Sequence, residues 1–181
     1  IVIIDAGLEF SGEDTPGVDY ILPNTKYLEE RKDRILGLVI THGHLDHIGA
    51  IPYLLGKIGN PPIYTMNLTH GMILKRHMEF PHLPELDMNI VKAGDIVQLG
   101  QFKVEFFHVN HNIPDDTAII IETPVGRLVH TADFKFDATP LNEEPADLEF
   151  IRTIGDRGVT LLMSDSTNAE KPGSSMSESV I

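Results

Sequence analysis

The chain of 181 residues contains no cysteine. Disulfides are thereby excluded, and so is any metal site built on thiolates; a metal here would have to be held by nitrogen and oxygen. No apolar run approaches the roughly 20 residues of a membrane-spanning helix, and no secretory leader pattern opens the chain. The expected setting is therefore cytoplasmic, with no membrane partner. Basic residues are scarce, 14 Lys and Arg against 27 Asp and Glu, for a net charge of −13. Proteins hold nucleic acid largely through Lys and Arg on phosphates, so this balance weighs against such a partner. The objection weakens if bound metal ions supply local positive charge, or if basic surfaces lie in sequence outside these residues. Hydrophobic residues make up 41% of the chain. That is material for a core, and the length is that of one globular domain. Ile1 opens inside a strand-like run and the last residues follow a Ser-rich segment, so a piece of a longer protein is expected.

What is present is concentrated in Thr41-His42-Gly43-His44-Leu45-Asp46-His47-Ile48-Gly49, with three histidines and one aspartate within six residues. The stretch follows the apolar run 35–40, which reads as a buried strand. Its ligand-type side chains therefore sit where the strand ends and the chain turns, with Gly43 permitting a tight turn. Burying three imidazoles and a carboxylate without partners would cost on the order of several kcal/mol. A structural polar cluster is thus a poor explanation and metal binding a good one. The natural division is two adjacent metals, His42 and His44 on one, Asp46 and His47 on the other.

Around this stretch, Ile1–Ile4 reads as a buried strand ending at Asp5, either a turn aspartate or a carboxylate that holds a metal-ligand loop; the second is preferred. Residues 8–24 read as a loop, 25–33 as a short helix, 50–55 as a helix with Pro52 in its first turn, 63–64 as a strand and 67–79 as a helix with His70 and His77 on its surface. Strands are expected at 89–91, 96–98, 102–109, 117–122 and 127–130, a helix at 147–155, and a buried strand at 159–163. Strands in blocks suggest sheets covered by helices rather than a regular βαβ array.

Two further strand ends carry ligand chemistry. His108 and His111 differ by an odd number of positions, so on a strand they face opposite ways; His111, at the end, is the candidate, and His108 is structural. Asp133 follows the strand 127–130 and has two oxygens with which to bridge two metals, whereas His130 is read as structural.

The HxHxDH pattern resembles the metallo-β-lactamase superfamily. Asp5-Ala6-Gly7, HxHxDHxGA, His-Asn-Ile-Pro-Asp from His111, His-Thr-Ala-Asp-Phe-Lys-Phe-Asp from His130 and the run from Ser164 to Gly173 together resemble the ribonuclease J family, β-CASP metallo-β-lactamase nucleases acting on RNA. The resemblance implies an α/β fold, an αββα sandwich incomplete in this fragment. Residues 1–163 would form the first part of the metallo-β-lactamase domain and 164–181 the start of a connection into a β-CASP domain. It implies two Zn2+ per complete chain, one on His42, His44, His111 and Asp133, the other on Asp46, His47 and Asp133. Asp165 would match the acidic residue of the first β-CASP motif and support the metal site. The family usually has Ser at Asn112 and Gly at Ala132. Its last zinc-ligand histidine and its later histidines, a proton donor among them, would lie beyond Ile181.

The activity so implied is zinc-dependent RNA phosphodiester hydrolysis, 5′-to-3′ exonucleolytic with possible endonuclease action, in RNA decay and maturation. Asp46 and His47 would hold the metal that activates the attacking water, in a homodimer or homotetramer of the full-length protein. Two other classes compete. A small-molecule hydrolase, a thioesterase or lactonase, could use the same metals, and a scaffold subunit would carry a degenerate site; the Ser164–Gly173 run disfavours the first and the intact ligand set the second.

Overall fold

The computed structural model describes residues 1–180. It divides into two compact units, 1–91 and 92–181.

In the first unit the chain runs through β1 (Val2–Ile4), β2 (Glu9–Phe10), β3 (Tyr20–Ile21), α1 (Lys26–Glu29), β4 (Gly37–Val39), α2 (Leu45–Ile48), α3 (Ile51–Leu54), β5 (Ile63–Thr65), α4 (Asn67–His77) and β6 (Met88–Ile90). The main sheet has the order β1-β4-β5-β6, and every neighbouring pair is parallel. This corrects the expectation against a βαβ array: the first unit is one, with α2 and α3 between β4 and β5, and α4 between β5 and β6. A parallel sheet covered on both faces selects continuous apolar runs, and Leu38, Val39 and Ile40 are fully buried. Leu38 and Ile40 pack with Ile48, Ile51, Leu55, Ile63 and Ile73.

The first strand is only half-buried, not buried as expected, because the sheet order leaves it at an edge. The helix expected over 25–33 is a single turn, α1, followed by a 3-10 turn at Lys32–Arg34. The expected loop 8–24 contains the short hairpin β2–β3. Pro52 does sit in the first turn of α3. His77 is half-buried rather than a surface residue; its Nε2 donates to the Pro84 carbonyl at 2.9 Å and ties the following loop to α4.

The second unit contains β7 (Ile96–Leu99), β8 (Phe102–His108), β9 (Thr117–Thr123), β10 (Gly126–His130), α5 (Leu148–Asp156) and β11 (Leu161–Met163). Its sheet order is β11-β10-β9-β8-β7. The first four strands of this unit form an antiparallel meander. The crossover through α5 then sets β11 parallel to β10. Asp147 caps α5 by accepting from the Phe150 N–H at 2.9 Å. Ile154, with Phe150 and Ile151 beside it, packs on Phe107, Val109, Ala118, Ile120 and Val129. The strand expected as buried at 159–163 is exposed, with Leu161 at 51% and Leu162 at 60% of full accessibility. It is the last strand in its sheet, so among the described residues only β10 pairs with it.

Candidate metal centre

In the first unit the parallel register of β1 and β4 pairs Ile4 with Val39. The next residue, Asp5, donates its N–H to the Val39 carbonyl at 2.9 Å and turns through a left-handed backbone (φ 58°). Its carboxylate is thereby aimed at the residues after β4. Oδ1 accepts from the Thr41 N–H at 2.8 Å, Oδ2 from the Thr41 hydroxyl at 2.9 Å, and Oδ2 again from His47 Nδ1 at 2.8 Å. A turn aspartate would bond its own neighbours; this one reaches across to two residues of the His-rich stretch.

The loop after Asp5 is pressed onto α2. Ala6 N–H donates to the His47 carbonyl at 2.8 Å. A Cβ on Gly7 would lie 1.5 Å from the Asp46 carbonyl oxygen, so only glycine fits there. His44 is the extended residue before α2, and its carbonyl accepts from the N–H groups of His47 and Ile48 at 3.0 and 2.9 Å. That turn brings the rings together: His42 and His47 centroids are 4.0 Å apart, His42 and His44 4.7 Å. His42 is fully buried.

The hydrogen-bond pattern fixes which ring nitrogens of His42 and His47 keep a lone pair. An ionised carboxylate only accepts, so the Thr41 hydroxyl hydrogen goes to Asp5. Thr41 Oγ1 also lies 3.0 Å from His42 Nδ1 and can then only accept there, which leaves the hydrogen of His42 on Nδ1 and a lone pair on Nε2. His42 Nε2 faces His44 Nδ1 at 2.9 Å. His47, donating from Nδ1 to Asp5, likewise keeps a lone pair on Nε2, 3.6 Å from Asp46 Oδ2. Converging imidazole nitrogens, those of His42 and His47 hydrogen-bonded at their far sides, form with the half-exposed carboxylate of Asp46 a donor set that fits zinc.

In the second unit, β8 ends at His108 and β10 at His130. An isolated antiparallel bridge joins Asn110 to Lys135, with Lys135 N–H donating to the Asn110 carbonyl at 2.8 Å. It sets His111 beside Asp133, Nε2 to Oδ2 at 3.7 Å. Asn110 is itself pinned, its Oδ1 accepting from Ala146 N–H at 2.7 Å. His108 lies 2.9 Å from the Glu144 carbonyl through Nε2, and His130 Nδ1 accepts from the Ala132 N–H at 3.1 Å; both rings thus serve the chain around them. Asp165 N–H donates to Thr131 Oγ1 at 3.1 Å, and its Oδ1 accepts from the Thr167 N–H and hydroxyl at 2.8 and 2.7 Å. Its carboxylate thus closes its own turn, and its backbone ties that turn to the segment leading to Asp133.

Three residues that sequence reading passed over matter here. Thr41 links Asp5 to His42; its signal was a hydroxyl directly before the first ligand-type histidine. Lys135 and Asp137, within the run from His130, anchor residues 176–178: Lys135 Nζ donates to the Met176 carbonyl at 3.1 Å and pairs with Glu178, and Asp137 accepts from the Glu178 N–H at 2.9 Å. Burial pushes the Asp137 carboxyl up. The N–H groups of Glu178 and Thr139, the Ser177 hydroxyl and the charge on Lys135 outweigh it and hold the group below the ordinary carboxylate range.

The chain is 44% identical to ribonuclease J of Mycobacterium tuberculosis over 181 residues, covering all of this chain and 32% of that one. It is 41% identical to ribonuclease J of Thermus thermophilus over 184 residues, covering 98% and 32%. The chain thus spans about a third of the length of these curated relatives. A Cronobacter sakazakii metallo-β-lactamase with a HARLDQ motif shares the fold, with a TM-score of 0.58 at 20% identity over 90% of this chain and 68% of that one. The metallo-β-lactamase superfamily pattern itself matches residues 1–173. With that match over nearly its whole length, and a donor set built at its strand ends, the chain belongs to the metallo-β-lactamase superfamily.

Proposed function

We propose that this chain is the metal-binding part of a zinc-dependent RNA phosphodiesterase, acting 5′-to-3′ as an exoribonuclease with endonuclease action as well, in cytoplasmic RNA decay and maturation. The observation that carries the chemistry is the set of imidazole nitrogens converging after β4, with His42 Nε2 and His44 Nδ1 2.9 Å apart and Asp5 bonded to His47 and Thr41. The choice of RNA rests on the likeness to ribonucleases J, which runs along this chain and about a third of theirs. No helix among the described residues is long and apolar enough to cross a membrane.

In this reading His42, His44, Asp46, His47, His111 and Asp133 would hold two zinc ions. Bound zinc supplies Lewis acidity, making a water more acidic and offsetting charge that develops on phosphate oxygens. The chain's own residues orient and exclude. Asp5 fixes the His47 ring, Thr41 fixes the His42 ring, and burial of His42 keeps water from its far side. Asp46, with its side chain 55% exposed, is the carboxylate open to solvent. Asp165 holds the turn beside Thr131. Residues from Ser164 onward begin the connection to a further domain.

The test uses the full-length protein. Elemental analysis should find two zinc ions per chain. The enzyme should cut 5′-monophosphate RNA and leave a lactone and a thioester intact. Asp46→Ala should lower RNA turnover by at least on the order of 100-fold with an unchanged circular dichroism spectrum, because its side chain packs in no core. Efficient lactone or thioester hydrolysis without RNA cleavage would replace this reading with a small-molecule hydrolase.

A further inference from the structure

We infer that Thr41 is a positioning residue that sets the tautomer of His42, so that the single carboxylate of Asp5 orients two histidines, one directly and one through a hydroxyl. The inference rests on the zinc-site reading above for its consequence but not for its geometry. Thr41 is fully buried, as is His42 beside it. Its hydroxyl oxygen lies 2.9 Å from Asp5 Oδ2, 3.0 Å from His42 Nδ1 and 3.5 Å from His47 Nδ1.

A hydroxyl has one hydrogen and two lone pairs. The carboxylate of Asp5 cannot donate, so the hydrogen is committed to it. Toward His42 the oxygen can only accept, and the imidazole must carry its hydrogen on Nδ1. Were that hydrogen on Nε2, two lone pairs would face each other at 3.0 Å in a dry site, and Nε2 would have no electron pair for a metal. The backbone N–H of Thr41 adds to the lock by binding Asp5 Oδ1 at 2.8 Å, so the carboxylate cannot rotate away. Asp5 therefore reaches His47 at 2.8 Å and His42 through one intermediate atom.

The substitution that isolates this role is Thr41→Val, which keeps the branched shape and removes the hydroxyl, with Thr41→Ser as the rescue. Histidine tautomers are read in the metal-free full-length protein by long-range 1H–15N correlation on histidine-labelled samples, and zinc affinity by chelator competition. In the unaltered protein His42 and His47 should both be protonated on Nδ1. Thr41→Val should release His42 into a mixture, leave His47 protonated on Nδ1, and weaken zinc binding by about 10- to 100-fold; Thr41→Ser should restore both readings. A purely structural Thr41 would lower the melting temperature without moving the tautomer, and that result overturns the inference. So does an unaltered protein in which His42 carries its hydrogen on Nε2, whatever the variants do. Tautomers and affinities as expected in a protein that does not cut RNA would sink the proposed substrate and leave the role of Thr41 standing.

Discussion

The two units position their ligand-type side chains by opposite means. In the first, four ligand-type side chains come from one six-residue stretch, and the carboxylate of Asp5, just after the neighbouring parallel strand, holds His47 directly and His42 through Thr41. In the second, His111 and Asp133 are far apart in sequence, and the backbone bridge between Asn110 and Lys135 sets them side by side. A local cluster needs orientation, which hydrogen bonds to ring nitrogens provide. A dispersed pair needs approach, which only the chain path provides. Substitutions should accordingly act differently on the two: packing and hydrogen-bond changes in the first, backbone changes in the second.

The sharpest contrast comes from one chemical change made in both units. Gly7→Ala places a methyl 1.5 Å from the Asp46 carbonyl oxygen, a backbone atom that cannot swing away. The loop after β1 must lift off α2, and the bond from Ala6 to His47 lengthens with it. A loss of about 3 kcal/mol or more is expected, with weaker zinc binding. Gly155→Ala, in α5, meets nothing within 4 Å and should gain up to about 1 kcal/mol. Urea unfolding of both variants checks the pair; equal effects would show that the loop after β1 is not pressed onto α2.

How far this was readable from sequence follows the same division. The run ending at Ile40 and the crowded stretch after it declare a buried strand with ligands at its end, because everything needed is consecutive. The antiparallel strands of the second unit show through their turns at Gly100 and at Val125-Gly126. The parallel order of the first unit does not show, since three-residue strands carry too little alternation to reveal which neighbours they take. Exposure of Leu161–Met163 was misread for a related reason: an apolar run looks the same in the middle of a sheet and at its edge. His111 could be chosen over His108 by its place at the strand's end, but the bridge that places it beside Asp133 joins residues whose sequence gives no sign of pairing.

Acid should act next on the second unit. Asp137 sits with its carboxyl held below the ordinary range. A group depressed on folding stabilises above its unfolded pKa, about 3.9 for Asp, and that contribution is lost as pH falls through the lower folded value. Residues 176–178 should therefore stay docked on Lys135 and Asp137 at neutral pH. They should come loose only as pH falls through that lower folded value, where the carboxylate that accepts from Glu178 N–H is protonated. Hydrogen exchange at the Glu178 amide, measured down the pH scale and corrected for intrinsic rates, reads this directly. Asp137→Asn should loosen the segment at every pH; protection unaffected by either change would remove Asp137 as its anchor.

The smallest effect concerns the two left-handed residues that open the site loops, Asp5 at φ 58° and Ala132 at φ 55°. The left-handed region strains any residue with a Cβ, by roughly 1–2 kcal/mol, and aspartate visits it more readily than alanine because its side chain bonds locally. At Asp5 the carboxylate holds Thr41 and His47, so the strain comes with three hydrogen bonds. At Ala132, where the family resembled usually has glycine, the methyl is buried but makes no polar contact in return. Ala132→Gly should relieve the strain, while losing some methyl burial and gaining unfolded-state freedom. The expected balance is a gain of a few tenths to about 1 kcal/mol, with zinc content unchanged. Asp5→Gly relieves the same kind of strain but strips two residues of their acceptor. It should destabilise by about 1–3 kcal/mol and weaken zinc binding. Thermal unfolding of both variants, with zinc content measured alongside, decides the matter. If Ala132→Gly lost more than about 1 kcal/mol, the buried methyl would outweigh the backbone strain, and the turn before Asp133 would be held by packing rather than by its chain path.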